Sequence, residues 1–359
     1  MKSLRPAAGR TAPARAPSFA RCLITWQKTH GRHDLPWQRT HDAYRIWLSE
    51  IMLQQTQVST VVPYYARFLA EFPTVSALAR APLDRVLELW SGLGYYRRAH
   101  HLHAASVAIE VRHGGECPRD AAPSATLPGI GRSTAAAIAA FAFGERAAIL
   151  EGNVKRVLAR HRGIEGFPGT PKVEAKLWSL AQSLLPPEEI GAYTQGLMDL
   201  GATVCTRAAP RCGECPLATD CVALRTGCVA ELPAPRPVKA RPAREIRVLL
   251  MERAGSILLE KRPALGIWAG LWSLPEVDLA VDVARHCKSR FLASVTVGDE
   301  LDPIEHGFTH YRLTMHPQRV AVRAWPPRAE APGLLWLTRD DALSAALPAP
   351  IKKLLRHLP

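Results

Sequence analysis

The chain has 359 residues, 47% of them hydrophobic, and a formal charge of +14. The length exceeds one ordinary core and calls for two domains, while the excess of Lys and Arg points to a polyanionic partner, most simply nucleic acid. No run of about eighteen apolar residues occurs, so no membrane-spanning helix is expected.

Residues 1–18 read as a disordered basic tail, rich in Arg and Ala, free of acids, and without an apolar core of signal-peptide length. A bacterial cytoplasmic location is expected, with an organelle transit peptide as the alternative. Residues 19–228 read mostly as helices. Apolar residues recur at helical spacing across 43–72, 83–93 and 97–111, and Gly and Pro punctuate the pattern at GLG, HGGECP and PGIG. Short helices with loop-borne motifs predict an all-α domain. Residues 229–244, rich in Pro and basic side chains, predict an extended linker. From 245 to 359 the pattern changes. IRVLLMER and SILLEKRP flank Ala-Gly as a β-hairpin, and FTHYRLTMH and QRVAVRAW read as two further strands. VDVARHCKSRFL and IKKLLRHL read as helices, which makes this a small α+β domain.

Four of the eight cysteines, Cys205, Cys212, Cys215 and Cys221, are spaced C-x6-C-x2-C-x5-C. Without a secretion signal a disulfide framework is not expected. Four thiolates in one compact loop can bind a single metal centre; zinc and a [4Fe–4S] cluster both accept them, and spacing alone does not choose. Pro128-Gly129-Ile130-Gly131 makes a tight turn before an Ala-rich helix, with Ser133 and Thr134 near its start. Such a turn can clamp a phosphate on backbone N–H groups, or it can be a plain turn with Ser and Thr as caps.

Two carboxylates stand out. Glu50 lies among Ile46, Trp47, Ile51 and Leu53, where partial desolvation would raise its pKa and suit a general acid. The alternative is an ordinary exposed helix Glu. Glu151 precedes the Gly-Asn pair that opens a basic helix, and Lys155 and Arg156 are expected to keep it ionised. Its alternative is helix capping. One protonated acid and one anion is the division of labour that glycosyl transfer needs. Tyr95 and Tyr96, followed by Arg97 and Arg98, suit stacking on bases beside phosphates, or core packing at a turn.

LPWQ, WLSEIMLQQTQV, GLGYYRRA, LPGIGRSTA, GNVKRVLAR and the four-cysteine loop occur here in the order of the adenine DNA glycosylases of the MutY family. The chain resembles that branch of the helix–hairpin–helix glycosylase superfamily over 19–228. Residues 245–359 resemble more weakly the family's Nudix-like domain and lack a Glu-rich pyrophosphatase signature. The resemblance implies a monomer that excises adenine mispaired with 8-oxoguanine or guanine in double-stranded DNA. It moves Cys205, Cys212, Cys215 and Cys221 from zinc to a [4Fe–4S] cluster. Clamp and mismatch-repair proteins are family-level partners.

Residue by residue, Glu50 matches the family's proton donor to adenine, and Gln55 and Tyr95 match residues inserted into the duplex. Leu35, Trp37 and Gln195 match positions around the extruded adenine. Gly129, Gly131 and Ser133 belong to the DNA-gripping hairpin, and Asn153 is placed to orient Glu151 or water. Ser133 stands where bifunctional relatives carry a nucleophilic Lys, so no strong strand cleavage is expected. Two positions depart from the pattern. Phe308-Thr309-His310 replaces the Phe-Ser-His that reads 8-oxoguanine, and Glu151 replaces Asp. Glu extends the carboxylate by about 1.5 Å, and a misplacement of about 1 Å can cost roughly 100-fold in rate. An attenuated enzyme is therefore expected. The alternatives are a non-catalytic lesion binder and a glycosylase for another mispair, such as thymine opposite guanine.

Overall fold

The computed structural model describes residues 18–237, 240–308, 310–326 and 332–358. The expected tail lies outside them up to residue 17, and Ser18 already caps the first helix through its side chain. The helices run α1 (Phe19–His30), α2 (Ala43–Leu53), α3 (Val58–Glu71), α4 (Val75–Arg80), α5 (Leu83–Trp90), α6 (Arg97–His113), α7 (Ala121–Ser124) and α8 (Arg132–Phe143). They continue with α9 (Gly152–Arg162), α10 (Pro171–Ser183), α11 (Ile190–Asp199) and α12 (Val222–Arg225). A π-helical turn, Leu200–Val204, extends α11. None of the described helices is long and apolar enough to cross a membrane.

The apolar run 43–72 is one periodic stretch in sequence but two helices in space. Gln54, Gln55, Thr56 and Gln57 interrupt it, and Gln55 takes a left-handed φ of 58° that no helix interior accommodates. Caps mark the other boundaries: Asp42 and Thr74 accept backbone N–H bonds at α2 and α4, and Gly114 and Gly163 end α6 and α9 in the left-handed region.

The chain divides into two compact units that are interleaved in sequence. The first comprises the residues up to Leu35 together with Ala136–Arg236. Its core gathers Leu23, Ile149, Leu158, Tyr193 and Leu200. Helix α1 joins it late in the chain: Lys28 pairs with Glu189, and Arg32 binds the fully buried Asp199 through its backbone N–H (2.9 Å) and Nε (2.7 Å).

The second unit comprises Pro36–Ala135 and the residues from Pro237 onward. Its helical part is built on Trp47, Phe68, Trp90 and Leu102, each 1% exposed or less. Its strands are β1 (Ala243–Arg253), β2 (Ser256–Lys261), β3 (Trp272–Ser273), β4 (Glu276–Val277), β5 (Ser294–Glu300), β6 (Ile304–Gly307), β7 (Arg312–Ala324) and β8 (Leu334–Thr338). The helices α13 (Val283–Phe291), α14 (Arg339–Ser344) and α15 (Ala349–Arg356) accompany them. The strands form one mixed sheet with the path β3-β2-β1-β7-β5, in which β1 and β7 run parallel. The expected hairpin is present, with Ala254 and Gly255 both at positive φ. FTHYRLTMH and QRVAVRAW, read as two strands, merge into the single β7, and Phe308 and His310 fall in the turn before it. Alternation along β1 sends Val248 and Leu250 to a core with Ile351 and Leu355 of α15, and Leu249 and Met251 to one with Cys287 and Phe291 of α13. Within this unit the sheet meets the helices through a Lys261–Asp84 ion pair and a bond from the Tyr96 hydroxyl to Leu347 O (3.1 Å).

Candidate active site

Glu151 is the N-cap of α9. Its extended backbone lets the side chain fold back over the helix start, where Oε2 accepts from the Asn153 N–H (2.8 Å) and Oε1 from the Val154 N–H (2.9 Å). Of the two cations expected to keep this acid ionised, Arg156 favours the anion, and burial opposes it. Withdrawal from water pushes its carboxyl above the ordinary range, against the opposing effects of the two amides and Arg156. Lys155 is turned away to pair with Glu174 at 2.6 Å. Arg156 spends its donors on the Asn153 Oδ1 (2.7 Å), Gly201 O (2.6 Å) and Cys205 O (2.8 Å).

Asn153 is thereby fixed from two sides. Arg156 holds its amide oxygen, and the π-helical turn presses on its Cβ: a Cβ added at Gly201 would lie 2.5 Å from it, so only glycine permits the approach. Gln195 of α11 donates to Asp199 Oδ1 at 2.9 Å, and Asp199 is held in turn by Arg32. Asp199, Arg32 and Gly201 support these positions without forming any local motif, and sequence reading did not find them.

Helix α9 also carries the cysteine loop. Arg160, 3% exposed, donates to Leu232 O (2.8 Å), Thr206 O (2.6 Å) and the Cys205 Sγ (3.5 Å). Cys205, Cys212, Cys215 and Cys221 line one cavity with Arg160, Val204, Arg211 and Leu224. Burial pushes the Cys215 thiol up to about 11 and raises Cys221, and the neighbouring sulfurs add to both shifts. Gathering thiols this closely opposes their ionisation unless a cationic centre offsets it. Among the described residues no group of three or more His, Cys, Asp or Glu is placed to hold a single ion.

Leu35 is buried at the end of the first unit's N-terminal segment. In the second unit, Trp37 is buried edge-on against Tyr65 at 5.4 Å between ring centroids. Glu50 is half-buried on α2, flanked by the buried Trp47 and Ile51. Gln55 and Tyr95 are both exposed and both at positive φ, 58° and 50°. Gly129 has φ 73° and rests on His101, while Gly131 is open; Ser133 is half-buried in the first turn of α8. Phe308 donates its N–H to Tyr311 O (2.9 Å) and packs on Trp268 (5.3 Å) and His306 (4.6 Å). His310 is exposed beside Tyr311, and Thr309 lies outside the described residues.

A helical hairpin, a capped carboxylate and a four-cysteine loop can be compared with known proteins. The family model described as HhH-GPD superfamily base excision DNA repair protein matches residues 48–183, and that of the NUDIX domain matches 247–357. An adenine DNA glycosylase of Buchnera aphidicola (subsp. Schizaphis graminum) is 32% identical over 94% of this chain and 97% of its own. The chain belongs to the adenine DNA glycosylases. The human member is 34% identical over 96% of this chain and 74% of its own. Among solved structures, a thermostable thymine-DNA glycosylase superposes with a TM-score of 0.53 at 29% identity, covering 58% of this chain and 95% of that one. As an adenine DNA glycosylase, the chain is an enzyme of base excision on DNA, with a helix–hairpin–helix glycosylase region and a C-terminal Nudix-like domain.

Proposed function

We propose that the chain excises adenine mispaired with 8-oxoguanine or guanine by flipping the adenine, protonating it and hydrolysing its N-glycosidic bond. The observation that carries this reading is the Glu151 carboxylate, set at the start of α9 beside a clamped Asn153, in a member of the adenine DNA glycosylases. A base buried in a stacked duplex must leave the stack before its glycosidic bond can be attacked. Glu50, half-buried among apolar side chains, then delivers a proton to the adenine and makes it a leaving group. Glu151, once ionised, stabilises the developing sugar cation, and Asn153 orients the carboxylate or the attacking water. Trp37, Leu35 and Gln195 receive the extruded base. The turn bearing Phe308 and His310 reads the opposite base. Ser133 supplies no amine, so no Schiff base forms and borohydride traps no protein–DNA adduct there.

Cys205, Cys212, Cys215 and Cys221 fit a [4Fe–4S] cluster. Their side chains line a common cavity, and the likeness to the adenine DNA glycosylases favours the cluster over zinc. When bound, the cluster supplies a structural cross-link and a charge that offsets the gathered thiolates. Arg156 and Arg160 carry that order to α9.

Engagement of both Glu151 oxygens by helix amides favours a second reading, a lesion binder without base release. Single-turnover adenine release separates the two, using A:8-oxoguanine, A:G and T:G duplexes with this chain, Glu50→Gln and Glu151→Asp. Release from A:8-oxoguanine that Glu50→Gln abolishes, and that Glu151→Asp accelerates by up to roughly 100-fold, supports the proposal. Binding with release only after Glu151→Asp supports the second reading. Release from T:G instead would overturn the adenine assignment.

A further inference from the structure

Gln55 and Tyr95 share an uncommon backbone. Each is a non-glycine residue in the left-handed region, each is exposed, and each sits in a short turn at a helix end. Such conformations persist only where surrounding structure holds them. One side chain holds both. Arg98, 8% exposed in the first turn of α6, directs Nη1 to Ile51 O (3.0 Å), Met52 O (2.7 Å) and Gln54 O (2.6 Å). Its Nη2 reaches Thr56 Oγ1 (3.0 Å), Leu93 O (3.3 Å) and Gly94 O (3.1 Å). The acceptors therefore bracket Gln55 on both sides and immediately precede Tyr95. The guanidinium also lies 5.4 Å from the centre of the Tyr95 ring and 5.3 Å from that of Trp90, whose indole N–H in turn binds Gly94 O (3.1 Å).

The charge of Arg98 rests on carbonyl dipoles, including those of Ile51 and Met52 at the C-terminal end of α2. The planar fork is essential to this use. Lys offers donors from one point and cannot span two turns at once.

We propose that Arg98 is a positioning residue that sets the backbone at Gln55 and Tyr95 jointly, presenting the two exposed side chains as one preformed wedge for entry into duplex DNA. The proposal rests on the reading of this chain as a base-flipping enzyme. It adds that the wedge exists before DNA arrives, so that binding does not have to order two loops. A shared anchor also means that loosening one turn loosens the other.

The test compares the full, cluster-loaded chain with Arg98→Lys, which keeps the charge, and Arg98→Met, with circular dichroism and thermal melting to confirm folding. Hydrogen exchange of the free proteins comes first. Arg98→Lys should speed exchange at least tenfold at 54–57 and 92–96 together, with the middles of α2 and α6 unchanged. Loosening of one turn alone, or of neither, overturns the proposal whatever the enzyme does to DNA. Next, 2-aminopurine placed opposite 8-oxoguanine reports unstacking on binding. Arg98→Lys should lose most of that fluorescence rise and slow adenine release tenfold or more, while half-saturation for undamaged duplex stays within about twofold. Two loosened turns with unaltered unstacking and release overturn it equally. If the parent chain unstacks no base, the base-flipping reading fails, and with it the role of the wedge, while the exchange data still judge the shared anchor.

Discussion

At Glu151 one methylene changes what a carboxylate can do. Asp42, at the N-cap of α2, takes both of its helix amides on Oδ1, whereas Glu151 engages one amide with each oxygen and is withdrawn from water. Because burial raises this carboxyl, the folded chain binds a proton more readily than the unfolded chain between the ordinary carboxylate range and the raised value. Stability therefore falls as pH rises through that window and stays at the lower level above it. In the proposed mechanism the anion is the form that stabilises the sugar cation, so adenine release should fall off on the acid side at a higher pH than an ordinary carboxylate would give. Melting temperatures and single-turnover rates measured across this window check both signs, and Glu151→Gln should flatten the stability profile. The identity of this residue was legible in sequence, and so was its capping role as an alternative. The upward push on its pKa was not, because it comes from burial, which outweighs the two amides and Arg156 and which no local pattern records.

At the scale of the element, α9 joins two tasks. Its first residue follows the Glu151 carboxylate, and its second and third turns grip the cysteine loop through Arg156 and Arg160. Periodicity predicted this helix, and the cysteine spacing predicted the loop. The coupling between them needed coordinates, since the contacts span 45 to 72 residues of sequence. Likewise, apolar recurrence on both sides of residues 54–57 concealed the break at Gln55, whose flanking residues are held by Arg98 of another helix. The hairpin glycine makes a sharper case. Gly129 combines φ 73° with a Cβ that would lie 2.5 Å from that of His101. Gly129→Ala should cost about 1–3 kcal/mol of stability and displace the backbone amides of the hairpin turn, the proposed phosphate contact. Duplex affinity, measured by fluorescence anisotropy, should weaken on damaged and undamaged DNA alike, whereas Gly131→Ala, which meets open space, should do neither.

For the whole molecule, the charge of +14 acts at longer range than any contact described above. Binding to undamaged duplex should weaken steeply and log-linearly with added salt as condensed counterions are released. A flat response in an anisotropy titration would show that the excess charge faces away from DNA. Composition made this partner legible, and the change from helical to alternating periodicity near 245 made the second domain legible. The interleaving of the compact units was not, because nothing local records that α1 packs against helices encoded far downstream.

That interleaving shapes how the chain is made. Helix α1 leaves the ribosome first, yet its partner Glu189 lies 161 residues beyond Lys28, and Leu23 is packed against by Gly196. At translation speeds of roughly 5–20 residues per second, the apolar face of α1 waits on the order of 8–30 s for α11. The nascent protein thus carries an unsatisfied greasy helix through most of the synthesis of its glycosylase region. A chaperone, or a pause in elongation, has that interval in which to act.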